Sequence, residues 1–304
     1  MIVTVTLNAA LDVTYRLDRL RPGATNRVAS VSERAGGKGV NTARVLAALG
    51  RPVLVTGFAG GASGELLRED LERAGLPQQL TAVQGRTRRT VAVVTADPAE
   101  VTGLWEPGPG ISAEEWSRFA DEDFPAALDG ASVAVLSGSL PPGVPDDAYA
   151  VLLRRCAERG VPAVLDADGE ALQLGLVAAP ALVKPNVEEA ARATGTDDPA
   201  EAAARLCALG ARTAVVTAGP DGLFGHTKEG VTGQGVHWHT PVPRRVRGNP
   251  TGAGDAATAA LAAALADGRP WPEATADAAA LAAAAVAAPL AGDFDSALYR
   301  ELSR

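Results

Sequence analysis

The sequence of 304 residues has little cysteine, histidine or aromatic side chain. Only Cys156 and Cys207 are present, each in a predicted helix, which excludes a disulfide framework and a thiolate metal cluster. The three histidines, His226, His237 and His239, lack the spacing of a metal site and are expected to be core or surface residues. The scarcity of cysteine fits a reducing compartment, and we expect a cytoplasmic protein.

The sequence also has no excess of basic residues, since it contains 28 Lys and Arg against 36 Asp and Glu and its net charge is −8. A broad nucleic-acid or anionic-membrane surface is therefore not expected, and an anionic ligand must be held by a local pocket. The N-terminus has no charged region followed by a long apolar one and is typical of a first strand. The alanine-rich run 256–291 is cut by Asp267-Gly268-Arg269-Pro270, which predicts two core helices and no membrane span.

Strand-like and helix-like runs alternate along most of the chain, and apolar residues make up 47% of it. This pattern predicts one α/β unit over residues 1–304, a doubly wound and mostly parallel sheet with helices on both faces. Strands without intervening helices break the alternation, at 13–18, 27–34, 91–95 and 101–105. We expect them to form a small β-sheet lid from residues of about 12–35 and 86–108, over the carboxyl ends of the parallel strands.

The most informative segment is Gly248-Asn249-Pro250-Thr251-Gly252-Ala253-Gly254-Asp255, which precedes an alanine-rich helix. Glycines permit a tight turn and close approach of a ligand, and free N–H groups at a helix start attract anions. Aspartate is also a common helix cap. Taken alone, the segment therefore predicts either a capped helix or an anion-binding loop with an acid beside it.

Two other glycine-rich segments fail the tests for nucleotide motifs. A P-loop ending in Gly36-Gly37-Lys38-Gly39 would need Gly at 32 and Ser or Thr at 39, where the chain has Ser32 and Gly39. Residues 57–64 do not fit G-x-G-x-x-G, and no acid ends the next strand, so a nicotinamide enzyme is not expected. The first segment remains a candidate helix start for a polyol or phosphate.

Several further segments allow both a structural and a functional interpretation. Asn186 and Glu189 fit a capping box or a water-mediated magnesium site. Residues 217–222 fit a hairpin turn or a loop that admits nucleotide phosphates. Basic residues in the predicted lid fit solvated strand edges or phosphate ligands; they are Arg27, Lys38, Arg86, Arg88 and Arg89.

Taken in order, six motifs resemble the ribokinase-like PfkB family of carbohydrate kinases across nearly the whole chain. They are residues 8–12, Gly36-Gly37-Lys38-Gly39-Val40-Asn41, Glu106-Pro107-Gly108-Pro109, residues 137–143, Lys184-Pro185-Asn186 with Glu189, and Gly252-Ala253-Gly254-Asp255. With residues 166–172, they are most similar to the branch of 1-phosphofructokinase and tagatose-6-phosphate kinase.

This resemblance implies a role for each matching residue. Asp255 would be the catalytic base, and the N–H groups of Gly252, Ala253 and Gly254 would form the anion hole. The sugar would be held by Asp12, Gly37, Lys38 and Asn41, and its own phosphate by Arg27, Arg88 and Ser139. The nucleotide would contact Lys184, Thr217, Gly219 and Gly222, with Asn186 and Glu189 holding Mg²⁺ through water.

The implied activity is ATP-dependent phosphorylation of a ketohexose monophosphate, first of all fructose 1-phosphate, with potassium as a further candidate cofactor. Tagatose 6-phosphate, fructose 6-phosphate or an unphosphorylated sugar are alternative acceptors, and a non-catalytic sugar- or nucleotide-binding regulator is the alternative of another class. A homodimer through the lid is expected, motivated by Val13, Tyr15, Leu17, Val28 and Val31.

The chain departs from the family pattern at four places, which are Ala9-Ala10, Arg89-Thr90, Asp168, and Asn249-Pro250-Thr251 with Ala256. Asp168 would add negative charge near the cleft, and Arg89-Thr90 would change the sugar contacts beside Arg88. The glycines and the acid of the catalytic loop are all retained.

Overall fold

A computed structural model describes residues 1–96, 100–228 and 235–303. Over these residues the strands form two separate sheets. The strands are β1 (Ile2–Thr6), β2 (Ala10–Leu17), β3 (Ser30–Gly36), β4 (Val53–Ala59), β5 (Gln78–Ala82), β6 (Arg88–Thr95), β7 (Val101–Trp105), β8 (Val133–Ser137), β9 (Ala163–Asp166), β10 (Leu182–Val183), β11 (Thr213–Thr217), β12 (Leu223–Thr227) and β13 (Val236–Thr240).

The helices are α1 (Lys38–Ala48), α2 (Gly61–Arg73), α3 (Ala113–Arg118), α4 (Phe124–Ala127), α5 (Ala148–Glu158), α6 (Gly169–Leu176), α7 (Val187–Thr194), α8 (Pro199–Leu209), α9 (Ala253–Ala266), α10 (Trp271–Val286) and α11 (Ser296–Leu302). A π-helical turn, Phe119–Asp123, joins α3 to α4, so this helical stretch contains one wider turn.

The larger sheet has the order β13-β12-β11-β10-β9-β8-β1-β4-β5. Strands β1, β4, β5, β8, β9, β10 and β11 are parallel, and β12 and β13 are antiparallel, which confirms the predicted fold class. After β1 the chain adds β4 and β5 on one side and later β8 and β9 on the other. The strand order therefore reverses beside β1, where ligands of open α/β sheets bind.

Helices cover both faces of this sheet, and one apolar cluster lies between the helices and the sheet on each face. Buried residues of α1, α9 and α10 belong to one cluster, and those of α5, α6 and α8 to the other. The alanine-rich region forms two helices that pack against each other, as expected, and small side chains let them approach closely. Within the described residues, no helix combines the length and hydropathy that crossing a membrane would require.

The smaller sheet is the predicted lid, with the order β3-β2-β6-β7. Its cleft end carries Ala10 of β2 opposite Gly36 of β3 and Arg88 of β6. At the other end Arg16 lies opposite Ser30. The apolar residues that motivated the dimer are not all available, because Val13 and Leu17 are 2% and 7% exposed within the single chain.

Candidate active site

A cleft of about 1800 Å³ lies between the lid and the larger sheet. It is lined from the carboxyl ends of the parallel strands and from the start of α9, the region where the strand order reverses. Sixteen of the seventeen predicted site residues line it: Asp12, Gly37, Lys38, Asn41, Arg88, Ser139, Lys184, Asn186, Glu189, Thr217, Gly219, Gly222, Gly252, Ala253, Gly254 and Asp255.

Arg27 is the exception and does not line the cleft of its own chain. It precedes β3 by three residues, beyond Ser30, whereas the cleft end of that strand is Gly36. A strand rises about 3.3 Å per residue, so Arg27 lies roughly 20 Å or more from the cleft end of the lid. The sequence placed Arg27 in the lid but could not give its distance along the strand.

The loop before α9 is held in place by Asn249. Its Oδ1 accepts a hydrogen bond from Thr251 N–H at 3.0 Å, and its own N–H donates to the Val286 carbonyl at 2.9 Å. Gly252 then takes φ 90°, a left-handed conformation that favours glycine, and caps α9. The departure at Asn249-Pro250-Thr251 thus forms a compact turn, which an asparagine side chain commonly supports.

The N–H groups at this helix start differ in their availability. Ala253 N–H donates to the Pro250 carbonyl at 3.2 Å, so it helps to close the turn. Gly252 and Gly254 N–H have no acceptor among the described residues. Two of the three predicted anion-hole donors are therefore free to meet a phosphoryl oxygen.

Asp255 lies in the first turn of α9 and is 7% exposed. Asn41 Nδ2 donates a hydrogen bond to its Oδ2 at 2.8 Å. Burial, with a smaller contribution from the nearby Asp166 charge, raises the pKa of Asp255 to about 7. A carboxyl with a pKa near neutral can both accept and release a proton at physiological pH.

Asp166, at the end of β9, is the main functional residue that the sequence did not single out. Its Oδ1 accepts from Lys38 Nζ at 2.9 Å, and its Oδ2 faces Lys184 Nζ at 3.2 Å and accepts from Thr258 Oγ1 at 2.8 Å. Burial raises the pKa of Asp166, but the two lysines outweigh burial and bring it down to about 2. A carboxylate at the carboxyl end of a buried parallel strand was the available signal.

Lys38 and Lys184 are consequently fixed by one buried carboxylate. Lys184 is almost fully buried, with a side chain 4% exposed. Asp166 raises the pKa of Lys38 against the effect of burial. Both lysines lie on the floor of the cleft, where their side-chain nitrogens can meet phosphate oxygens.

Asp12 lies on the lid wall, and Thr90 Oγ1 donates a short hydrogen bond to its Oδ1. Burial raises the pKa of Asp12 against the effects of Thr90 and the nearby arginines. A Cβ on Gly36 would overlap the Asp12 carboxylate, so the absence of a side chain at Gly36 leaves the space that this carboxylate occupies. Thr90, where the chain departs from the family pattern, therefore orients Asp12, a residue predicted to bind the sugar.

Arg88 also lies on the lid wall, held by backbone carbonyls. Its Nε donates to Asn8 O at 3.1 Å and its Nη1 to Glu106 O at 3.2 Å. No described carboxylate forms an ion pair with it, so its charge remains available to an anion. Asn8 Nδ2 in turn donates to Ser139 Oγ at 3.1 Å, which places the hydroxyl near Arg88.

Asn186 and Glu189 form the capping box that was the structural alternative. Asn186 N–H donates to Glu189 Oε2 at 2.9 Å, and Glu189 N–H donates to Asn186 Oδ1 at 2.8 Å. Glu189 Oε1 points the other way, 3.6 Å from Lys38 Nζ. No group of three or more His, Cys, Asp or Glu in the described ranges could hold a metal ion. One carboxylate oxygen facing the cleft does suit a magnesium ion that keeps most of its waters.

The remaining half of the cleft has apolar walls and a hairpin. Thr217 ends β11, and Gly219 and Gly222 lie in the turn between β11 and β12, so the hairpin interpretation is confirmed. All three residues line the cleft. The apolar wall consists of Leu223, Val242, Val246, Ala279, Ala283 and Val286. Such a pocket fits a flat heteroaromatic ring with phosphates directed towards α9.

Asp168 does not leave an unbalanced charge in this half. Its Oδ1 accepts from Gly169 N–H at 2.6 Å and caps α6, and its Oδ2 pairs with Arg192 at 2.7 Å.

Comparison with known proteins identifies a common family. A family model described as pfkB family carbohydrate kinase matches residues 5–297. Phosphofructokinase-2 from Escherichia coli in complex with fructose-6-phosphate is 29% identical, with a TM-score of 0.88, over 100% of this chain and 99% of that chain. The same protein in complex with potassium is 28% identical, with a TM-score of 0.89 and the same coverage. A possible 1-phosphofructokinase from Thermotoga maritima is 24% identical over 99% and 97% of the two chains, with a TM-score of 0.85, and supports the fold alone.

Proposed function

Because the chain belongs to the pfkB family of carbohydrate kinases, we propose that it phosphorylates fructose 1-phosphate with ATP to give fructose 1,6-bisphosphate. The observation that carries the proposal is Asp255, a buried carboxyl with a pKa near neutral beside two free helix N–H groups. An acceptor hydroxyl and an anionic donor are the reactants that such a pair would serve.

In the proposed reaction, Asp255 accepts the proton of the attacking sugar hydroxyl. The N–H groups of Gly252 and Gly254, together with Lys38 and Lys184, stabilise charge on the transferring phosphoryl group. Asn41 donates to Oδ2 of the Asp255 carboxylate, so Oδ1 would take the proton of the hydroxyl. Alignment and charge stabilisation dominate phosphoryl transfer, and these residues supply both.

Magnesium bound with ATP would neutralise phosphate charge, and Glu189 with Asn186 would hold it through its waters. The capping box fixes one Glu189 oxygen to the backbone and leaves the other towards the cleft. Since the E. coli relative has a complex with potassium, potassium remains a candidate activator of this chain as well.

Arg88 and Ser139 support a phosphorylated acceptor. The guanidinium is pre-positioned by two carbonyls and has no described carboxylate partner, which suits a phosphate. Fructose 6-phosphate is the second candidate, because the relative from E. coli binds it. Turnover of both sugar phosphates and of tagatose 6-phosphate by purified protein tests the acceptor directly.

Arg88→Ala tests whether the acceptor carries a phosphate. KM for the sugar phosphate should rise about tenfold or more, the effect of losing a charged hydrogen bond. Arg89→Ala is the matched control, because Arg89 is the next residue of β6, projects from the opposite face of the strand and does not line the cleft. An unchanged KM in Arg88→Ala would indicate an uncharged sugar. Binding without turnover in the wild type would indicate a regulator.

We also propose a homodimer through the lid. Val31 and Leu104 are 57% and 58% exposed and project from the same face of the lid sheet. E. coli phosphofructokinase-2 has a tetrameric inhibited form. Arg27 does not line the cleft of its own chain, and in a dimer it would have a second chain to contact. Light scattering at micromolar concentration should give twice the mass of the chain, and a monomer would contradict the proposal.

A further inference from the structure

Trp105 ends β7 at the mouth of the cleft and is 80% exposed. The other three tryptophans, Trp116, Trp238 and Trp271, are all half-buried. An exposed aromatic ring in the lining of a concave polar pocket offers a large, flat contact surface to a ligand. Trp105 has no role in the proposed proton and phosphoryl transfer, and its exposure shows that it does not belong to the core.

The strand register fixes the direction of this side chain. Asp12 of β2 lies opposite Thr90 of β6, and Thr90 lies opposite Trp105 of β7. Residues directly opposite each other project from the same face of a sheet. Trp105 therefore faces the cleft with Asp12 and Thr90, and all three line it.

Gly103 leaves room for the indole beside the strand. A Cβ at Gly103 would come 3.1 Å from Trp105 Nε1, so the ring lies over a residue without a side chain. Gly103 also lies on the cleft face, opposite Ala92. The lid thus carries a flat apolar surface next to the half-buried carboxylate of Asp12.

We propose that Trp105 is a specificity-determining residue of the acceptor subsite, whose indole stacks on the C–H face of the sugar phosphate. This inference rests on the proposed function. A sugar has an apolar face of C–H groups and a rim of hydroxyls, which match the indole and the Asp12 carboxylate respectively. A second protein chain is the poorer occupant, because covering Trp105 would also bury the charges of Asp12 and Arg88.

Steady-state kinetics of Trp105→Ala and Trp105→Phe provide the first test, with fructose 1-phosphate and fructose 6-phosphate as acceptors. Trp105→Ala should raise the sugar-phosphate KM about tenfold, with kcat and the KM for ATP within about twofold. Trp105→Phe keeps an aromatic face and should recover most of the affinity. Thr102→Ala is the matched control, since Thr102 is exposed, lies on the same strand and projects from the opposite face.

Iodide quenching of tryptophan fluorescence provides a readout that needs no turnover. Saturating sugar phosphate should protect the wild type from quenching, and the protection should disappear in Trp105→Phe. Unchanged acceptor KM in Trp105→Ala, or equal protection in wild type and Trp105→Phe, overturns the proposal. So does an equal KM rise in Thr102→Ala, because the effect would then not depend on the cleft face of the lid.

These results separate the inference from the proposed function. A wild type that phosphorylates a sugar phosphate while Trp105→Ala keeps its KM refutes the inference alone. A wild type that phosphorylates none of the sugar phosphates refutes the proposed function, and quenching then decides whether Trp105 contacts the sugar.

Discussion

On the sheet wall of the cleft, Asp166 and Asp255 are 1% and 7% exposed, and two lysines are fixed by one carboxylate. On the lid wall, Asp12 and Arg88 are half-buried, and Trp105 is mostly exposed. The first wall is a preorganised set of buried charges, which phosphoryl transfer requires. The second wall is a more open surface suited to recognising an acceptor. Changes on the sheet wall should therefore affect turnover and folding, and changes on the lid wall should affect acceptor affinity.

The largest effect is expected for Asp255→Asn, which keeps the shape and the hydrogen bond from Asn41. Loss of the base should lower kcat by roughly 10² to 10⁴. In the wild type, kcat should fall as the pH drops below about 7, because the carboxyl becomes protonated. Turnover measured from pH 5 to 9 checks both statements, and wild-type turnover in Asp255→Asn would rule out this base.

The same residue gives an opposite effect on stability. Its folded pKa lies above the ordinary value near 4, so the folded protein loses stability as the pH rises from about 4 to 7. Asp255→Asn removes this loss and should unfold at a higher urea concentration than the wild type at pH 8. At pH 4 the two proteins should unfold at similar concentrations.

Asp166→Asn is expected to have the next largest effect, through folding. It leaves the ammonium groups of Lys38 and Lys184 without their buried carboxylate, and losing one partner of a buried ion pair costs about 3 to 5 kcal/mol. Asp267→Asn is the control, because Asp267 pairs with Arg51 at the surface; exposed pairs contribute about 0.2 to 1 kcal/mol. Equal losses in urea unfolding would contradict the contrast between buried and exposed charge.

The repeating pattern of strands and helices was enough to predict the larger sheet and the lid. Two short elements were missed, namely α6 and α11, because their sequences lack a clear apolar period. The motifs identified the residues that meet in the cleft. They could not identify Asp166 as the partner of two lysines, because Lys38 and Lys184 are separated from it in the sequence by 128 and 18 positions, respectively.

Gly36→Ala is a lid-wall change with a smaller expected effect. The new Cβ would overlap the Asp12 carboxylate and displace it. The acceptor KM should rise about tenfold with little change in the KM for ATP, since one hydrogen-bonding group moves out of place. Gly110→Ala is the control, because a Cβ there meets open space. An equal rise in the KM for ATP would mean that the lid wall is not confined to acceptor recognition.

The smallest effect is expected for Asp168→Ser, near the nucleotide half of the cleft. The sequence suggested that Asp168 would add negative charge near the cleft, but Arg192 and the Gly169 N–H already hold its two oxygens. Serine can still cap α6, so only an exposed ion pair is lost. The KM for ATP should therefore stay within about twofold of the wild type. A fall of tenfold would show that the charge of Asp168 acts on the nucleotide in spite of Arg192, and that this part of the sheet wall is less fully balanced than its floor.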